Sequence, residues 1–226
     1  MNPALLLLTD SRLPAGGHAH SGGTEQAVRT GAVHDVPSLG SFLRGRLATS
    51  GLVAAALAAT ACAAAPAAAE PSVWAGLDGE ADARTASPAQ RDASRTQGRL
   101  LLRVARRVWP SPVLDDLARD VPNAHHPIAL GAAAHAAGAC PEDAALTAAY
   151  HAITGPATAA VRLLGLDPVA VHRLLADLGP DLTDTAAQAC LAADPTRPGR
   201  LPAHSAPALD LLAEQHARAR TRLFVS

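Results

Sequence analysis

The stretch GLVAAALAATACAAAPAAA, from Gly51 to Ala69, indicates the class of fold. It is almost wholly apolar and mostly alanine, the residue with the highest helix propensity. Alanine gains little from lipid, and Pro66 and Glu70 end the run early, so we expect a packed core helix rather than a membrane span. Small side chains along such a helix let neighbouring helices approach closely.

The composition of the whole chain extends this prediction. Of its 226 residues, 49% are hydrophobic but only 2% are aromatic, and runs of β-branched residues are almost absent. Strands depend on such residues. We therefore predict an all-α fold: a single compact bundle of roughly ten helices, with no sheet. It forms one domain over residues 1–226, with a looser segment near 66–87 that contains a short helix anchored by Trp74.

Prolines, glycines and capping residues set the predicted helix boundaries. The long helix through Gly51 is expected to start at Ser38 and to end near Ala65. Ser87 and Pro88 predict the start of another helix, which Pro110 stops. A short helix is predicted from a cap at Thr24 or Ser21 through Arg29. The remaining helices are predicted at 2–8, 113–119, 127–138, 141–165 with a kink or restart at Pro156, 168–178, 183–193 and 208–222.

Charge and cysteine usage narrow the function classes. The formal net charge is −1, which argues against binding to nucleic acid or to an anionic membrane. Cys62, Cys140 and Cys190 are too widely spaced for a disulfide framework or a CxxC metal site, so we expect buried free thiols. The N-terminus lacks a basic region and its leucine run is short for a signal peptide. These features predict a cytoplasmic protein.

The segment LPAGGHAHSGGTE, from Leu13 to Glu25, combines four glycines with two histidines. A phosphate-binding P-loop requires a lysine after the glycines and a preceding strand, and neither is present. The remaining interpretations are half of a metal site or a hinge between two short helices. Glycine can adopt positive φ angles there and let another backbone approach closely.

Histidines are the candidate metal ligands. In an extended loop, His18 and His20 project to the same side, and His125 and His126 could complete a site of about four ligands if the fold joins them. The alternative is that these side chains bond the loop or lie at the surface. No Ser/His/Asp or Cys/His triad can be placed from sequence, so we predict no catalytic residue and no tightly bound cofactor.

A row of arginines at four-residue spacing follows Pro88. This spacing places the row on one slanted stripe of a helix. Leu100, Leu101, Val104 and Val108 cluster on another face, which is the predicted core side. Within the helix, only Asp92 offers a counter-charge. The stripe is either a solvated face or, as we hypothesise, a docking surface for an acidic partner. Its members are Arg91, Arg95, Arg99, Arg103 and Arg107.

Four ordered motifs support a resemblance to a known family. The stretch LLLLTDSRLPAGGHAHSGGTEQAVRTGAV, residues 5–33, resembles the N-terminal signature of the urease accessory protein UreF family. Three further stretches are similar to its later motifs: SRTQGRLLLR (94–103), AAVRLLGLD (159–167) and HARARTRLFVS (216–226). The chain departs from the family at His18, where an aromatic is common, and at Asp167-Pro168-Val169, where Gln-rich turns are common.

The resemblance implies an all-α, non-catalytic urease maturation factor. It would act with a UreD/UreH-type protein and a UreG-type GTPase to insert nickel into apo-urease, form a homodimer within the complex, and hold nickel at most in transit. We expect the C-terminal tail to become ordered on binding. The expected interface residues are Gly16, Gly17, His20, Ser21, Glu25, Arg95, Arg99, Arg162, Arg222, Leu223 and Phe224.

Two other function classes remain open at this point. One is a stand-alone helical metal-binding protein that uses His18, His20, His125 and His126. The other is a helical interaction module of a different pathway.

Overall fold

The computed structural model describes residues 3–67 and 71–226. Within those ranges there are eleven α-helices and no strand, which confirms the all-α prediction. Short 3₁₀ turns lie at Gly17–Ala19, Ala65–Ala67 and Pro198–Arg200. The helices are α1 (Pro3–Leu8), α2 (Thr24–Arg29), α3 (Val36–Ala64), α4 (Pro71–Ala83), α5 (Pro88–Val108), α6 (Pro112–Asp120), α7 (His126–Ala136), α8 (Pro141–Leu164), α9 (Pro168–Asp177), α10 (Gly179–Ala192) and α11 (Pro207–Arg218).

Helix α3 is the centre of the core, packed between α7, α8 and α10. It is long and apolar enough to cross a membrane, but 72% of its most apolar window is buried inside the protein. A Cβ added to Gly131 of α7 would lie only 2.3 Å from the carbonyl oxygen of Ala58 in α3. The small residues therefore permit backbone contact between helices, as the sequence predicts.

Helix α5 packs through a face that differs partly from the predicted one. Leu101, Leu102 and Ala105 are buried, whereas Val108 is 47% exposed. Gly98 completes this face: a Cβ there would lie 2.0 Å from the carbonyl oxygen of Ala124. Positions 98, 101, 102 and 105 share the i, i+3, i+4, i+7 spacing of one helix face. Val108 continues this spacing but is the last residue of the helix, beyond the buried part of the face.

Two predicted helix starts are wrong. Asp35, not Ser38, is the N-cap of α3: its carboxylate accepts the Ser38 amide at 2.8 Å, while the Ser38 hydroxyl accepts the Asp35 amide at 3.0 Å. This is a reciprocal capping box, in which Ser38 is the third helical residue. Helix α10 starts at Gly179 rather than Thr183, because Pro180 fits the first turn of a helix.

Other boundaries also differ from prediction. Helix α8 runs without a break through Pro156 to Leu164, so the predicted restart does not occur. The last helix ends at Arg218, and the chain continues as a non-helical tail. In the segment predicted to be looser, residues 68–70 lie outside the described residues, while Pro71–Ala83 form α4 with Trp74 in the core. The single-domain organisation stays a prediction.

All three cysteines are free, but only Cys62 is buried. Cys140 is exposed and Cys190 is half-buried, so the prediction of buried thiols holds for one of the three. Burial raises the pKa of Cys62 to about 12, which keeps its thiol protonated and unreactive at neutral pH.

Candidate functional site

The C-terminal tail, Ala219–Ser226, lies against the glycine-rich N-terminal segment, Leu13–Glu25. The amide of Val225 donates to the carbonyl of Ala19 at 2.8 Å. Both the amide and the hydroxyl of Ser21 donate to the carbonyl of Ser226, and Nδ1 of His20 lies 2.6 Å from its hydroxyl. The first and last motifs of the sequence therefore form one structure, which we call the tail site.

Glu25 is the anchor of the tail site. Its side chain is buried, and its carboxylate accepts the amides of Leu223 and Phe224, each at 2.9 Å. Arg29, one turn further along α2, donates to the same carboxylate at 3.0 Å and to the carbonyl of Thr221 at 2.8 Å. The buried charge is thus paired and hydrogen-bonded, as a buried carboxylate must be.

The tail has an inner and an outer face. Phe224 points inward and is 5% exposed, with the guanidinium carbon of Arg162 at 4.9 Å from the centre of its ring. Such a cation over an aromatic face is attractive. Leu223 and Val225 point outward and are 58% and 59% exposed, and Arg222 beside them is exposed. The exposed side chains of the tail thus include the cations Arg220 and Arg222 and two aliphatic side chains.

Glycines shape the N-terminal segment at two positions. Gly16 has a φ of +76°, and an added Cβ would lie 2.9 Å from the side chain of Leu100. Gly22 has a φ of +59°, with Pro156 at 3.1 Å from an added Cβ. Both positions combine a left-handed backbone with close packing, so any larger residue would be strained. An added Cβ on Gly17 would meet nothing within 4 Å.

A cavity of about 610 Å³ lies beside the tail, with Arg222, Val225 and Ser226 of the tail in its lining together with His20 and Arg46. Arg46 donates to the carbonyl of Gly22 at 2.6 Å and to that of Ala152 at 3.0 Å, which ties the N-terminal segment to α3 and α8. Burial lowers the pKa of Arg46 to about 10, so it remains charged at neutral pH. Sequence reasoning missed Arg46 because a single arginine in a long helix carries no motif.

The cavity also collects histidines. His126 and His151 line it, with their ring centres 5.9 Å apart, and His20 lies in the same lining. Burial lowers the pKa of His126 to about 3 and that of His151 to about 4. These imidazoles are therefore neutral at pH 7, the form that binds transition metals. No sequence motif marks His151.

Three of the four histidines proposed as metal ligands, His20, His125 and His126, line this cavity, whereas His18 is not among its lining residues. The segment at Gly17–Ala19 is a 3₁₀ turn rather than extended, so His18 is exposed while His20 is buried. The prediction that His18 and His20 project to the same side of an extended loop is therefore wrong. His125 is buried, and its ring is engaged by Ser94 and Asp82.

Those contacts of His125 form a Ser–His–Asp series that the sequence could not place. The hydroxyl of Ser94 lies 3.0 Å from Nδ1, and Nε2 lies 2.9 Å from a carboxylate oxygen of Asp82. Ser94 lies within α5, where helix bonding consumes the neighbouring backbone amides, so they cannot stabilise an oxyanion. The hydroxyl also accepts the amide of His126 at 3.1 Å. The series fixes the turn before α7 against α4 and α5.

The carboxylates of Asp78 and Asp82 lie near His125, with ligand atoms within 4.8 Å of one another. Arg95 supplies the positive charge there, because its guanidinium donates to Asp78 at 2.9 Å and to Asp82 at 2.6 Å. The arginine row therefore has counter-charges from α4 as well as Asp92. Arg99, one turn further, is exposed.

Comparison with known proteins gives a consistent result. The model of the UreF family matches residues 33–179. A protein of Mycolicibacterium vanbaalenii named urease accessory protein UreF is 47% identical over 98% of this chain and 97% of its own length. Proteins with the same name from Mycobacterium marinum and Mycobacterium tuberculosis are 45% and 41% identical over the same shares.

Proposed function

The chain belongs to the UreF family of urease accessory proteins, and from that premise we propose that it is a docking scaffold for urease maturation. In this proposal it acts in the cytoplasm with a UreD/UreH-type accessory protein and a UreG-type GTPase, as a homodimer within their complex. Together they insert nickel into apo-urease. The chain itself catalyses no reaction and holds no resident cofactor.

The observation that carries the proposal is the outer face of the tail site. Arg222, Leu223 and Val225 are exposed on a backbone that Glu25 and Ser21 hold in place. Arginines and apolar side chains on a positioned surface are typical anchors of protein interfaces. The tail is already docked in the free chain, contrary to the expectation that it becomes ordered on binding. A docked tail lowers the entropic cost of association.

Other expected interface residues contact the tail and hold its outer face in position. Glu25, Ser21 and His20 bond the tail, and Arg162 covers Phe224. We therefore propose that these side chains position the interface, while Arg222 and Leu223 contact the partner. Gly16 and Gly17 act through the path of the backbone. Arg95 acts within the chain, by binding Asp78 and Asp82.

Nickel enters this proposal as cargo. His126 and His151 are neutral and face a cavity that the tail borders, and imidazole is a suitable ligand for nickel. His126, His151 and the nearby His20 provide fewer ligands than the roughly four that a closed metal site requires. Such a partial set fits transient contact rather than storage.

The experiment is a gene deletion in a host that makes urease, followed by complementation. We expect urease protein at normal levels, but with its nickel content and activity lost until the gene is restored. Fully active, nickel-loaded urease in the deletion strain would contradict the proposed function. Purified chain that hydrolyses a substrate would contradict its non-catalytic part.

A further inference from the structure

The C-terminal half of α5 carries an unusual concentration of positive charge. Arg99, Arg103 and Arg107 are exposed at four-residue intervals, and Arg106 is exposed beside them. With α6 they form a groove of about 480 Å³. We call this the arginine groove; its lining residues are Arg99, Leu102, Arg103, Arg106, Arg107, Asp115, Ala118 and Pro122.

The charges of the arginine groove are poorly compensated. Arg106 pairs with Asp115 at 2.7 Å. Arg99, Arg103 and Arg107 have no hydrogen-bond or ion-pair partner in the part of the chain that the structure describes. Like charges four residues apart on a helix repel one another, so a bound anion would relieve this repulsion.

The N-terminal half of the same row shows what such arginines bind. Asp78 and Asp82 lie four residues apart on α4. Arg95 forms ion pairs with Asp78 at 2.9 Å and with Asp82 at 2.6 Å. Arg91 lies 4.0 Å from Asp82. Four residues span about 6 Å along either helix. The carboxylates of α4 and the arginines of α5 therefore recur at the same spacing. The arginines of the groove, Arg99, Arg103 and Arg107, continue the row at the same four-residue spacing.

We propose that the arginine groove docks an acidic helix of a partner protein, with Asp or Glu recurring every four residues along one face. Leu102, Ala118 and Pro122 provide an apolar floor for an aliphatic side chain between the carboxylates. The net charge of −1 confines the positive potential to a local patch, which suits a short acidic segment better than an extended polyanion such as nucleic acid. The proposal rests on the proposed function only in assigning the chain a docking role.

The test uses the full chain and a fluorescent synthetic helix of roughly 20 residues, with glutamates every fourth position on one face. A control peptide of equal composition has its glutamates spread around the helix. We expect the Arg99→Glu/Arg103→Glu variant to weaken anisotropy-detected binding of the striped peptide about tenfold or more. Arg173→Glu, an exposed site on α9, makes the control charge reversal and should leave binding unchanged.

Three results would overturn the proposal: unchanged binding by the double variant, equal binding of the two peptides, or tighter binding of duplex DNA than of the striped peptide. If charge reversal lowers the helicity of the chain, Arg99→Gln/Arg103→Gln replaces it and must still weaken binding. Urease plays no part in this measurement. Its failure is therefore distinct from failure of the deletion experiment.

Discussion

The carboxylate of Glu25 accepts the backbone amide of Phe224 at 2.9 Å, although the two residues are 199 positions apart. The bond joins the start of α2 to the end of the chain, and both partners are buried. It explains how a tail of eight residues without helix or strand keeps one face inward and presents the other to solvent.

Glu25→Gln should loosen the tail without unfolding the helices. Glutamine retains one acceptor oxygen but turns an NH₂ group toward amides that need an acceptor. An unsatisfied buried group costs about 1–3 kcal/mol. We therefore expect the amides of Leu223 and Phe224 to exchange with deuterium at least about tenfold faster. Unchanged protection would refute the anchoring role, and Glu142→Gln, at an exposed glutamate, is the matched control.

Arg162→Ala and Phe224→Leu should reveal a coupled pair. Each substitution removes the cation–aromatic contact while leaving the hydrogen bonds of Glu25 in place. A double-mutant cycle on tail amide protection should give a coupling of about 0.5–2 kcal/mol. Strictly additive effects would show that Arg162 merely lies near the ring.

Gly131→Ala should destabilise the whole protein. The added Cβ would lie 2.3 Å from the carbonyl oxygen of Ala58, so α3 and α7 would have to separate. Overpacking of this kind costs about 1–3 kcal/mol. Gly76→Ala in α4 is the control, because its Cβ would meet nothing within 4 Å and alanine favours helix by about 1 kcal/mol. The urea concentration at the midpoint of unfolding should fall for Gly131→Ala and rise for Gly76→Ala. Equal shifts of the two midpoints would contradict the proposed helix contact.

Acid should weaken the fold through the cavity histidines. Burial lowers the folded-state pKa of His126 to about 3 and of His151 to about 4, below about 6.5 for an unfolded histidine. The unfolded chain therefore binds protons first as the pH falls. Stability is full above about pH 6.5 and declines toward pH 4, by up to about 1.4 kcal/mol per pH unit for each histidine.

The measurement is urea denaturation at several pH values between 7 and 4. His126→Gln and His151→Gln should each flatten the decline, whereas His172→Gln at an exposed position should not. A decline of equal slope in all variants would mean that other groups control the acid sensitivity.

Nickel contact is tested by calorimetry on the purified chain. We expect weak nickel binding that His126→Ala/His151→Ala abolishes, because imidazole is the main ligand available in the cavity. His18→Ala should have little effect, since His18 is exposed and is not among the residues that line the cavity. Binding that depends on His18 alone, or none in the chain or its complexes, would remove the proposed path.

Local sequence signals gave most of the helices but not the pairings between them. Alanine content and prolines at helix starts are local, so α3, α5 and α8 could be located from sequence. The capping partner of α3 was misassigned because Asp35 and Ser38 both cap well and only geometry ranks them. The contacts of Arg95 with α4, and of His125 with Ser94, depend on helix packing, which no local pattern encodes. His151 and Arg46 could be identified as candidate site residues only from the cavity that they line.

We propose that the outer face of the tail docks the accessory partner, and a charge placed on that face tests this docking most directly. Leu223→Asp places a charge on that face without touching the inward contacts of Phe224, and Leu191→Asp makes the same change at a 91% exposed site on α10. The affinity of each purified variant for the UreD/UreH-type partner is the decisive measurement. We predict a loss of about tenfold or more for Leu223→Asp and none for Leu191→Asp. Equal affinity of both variants and the unmodified chain would contradict a docking role for the tail.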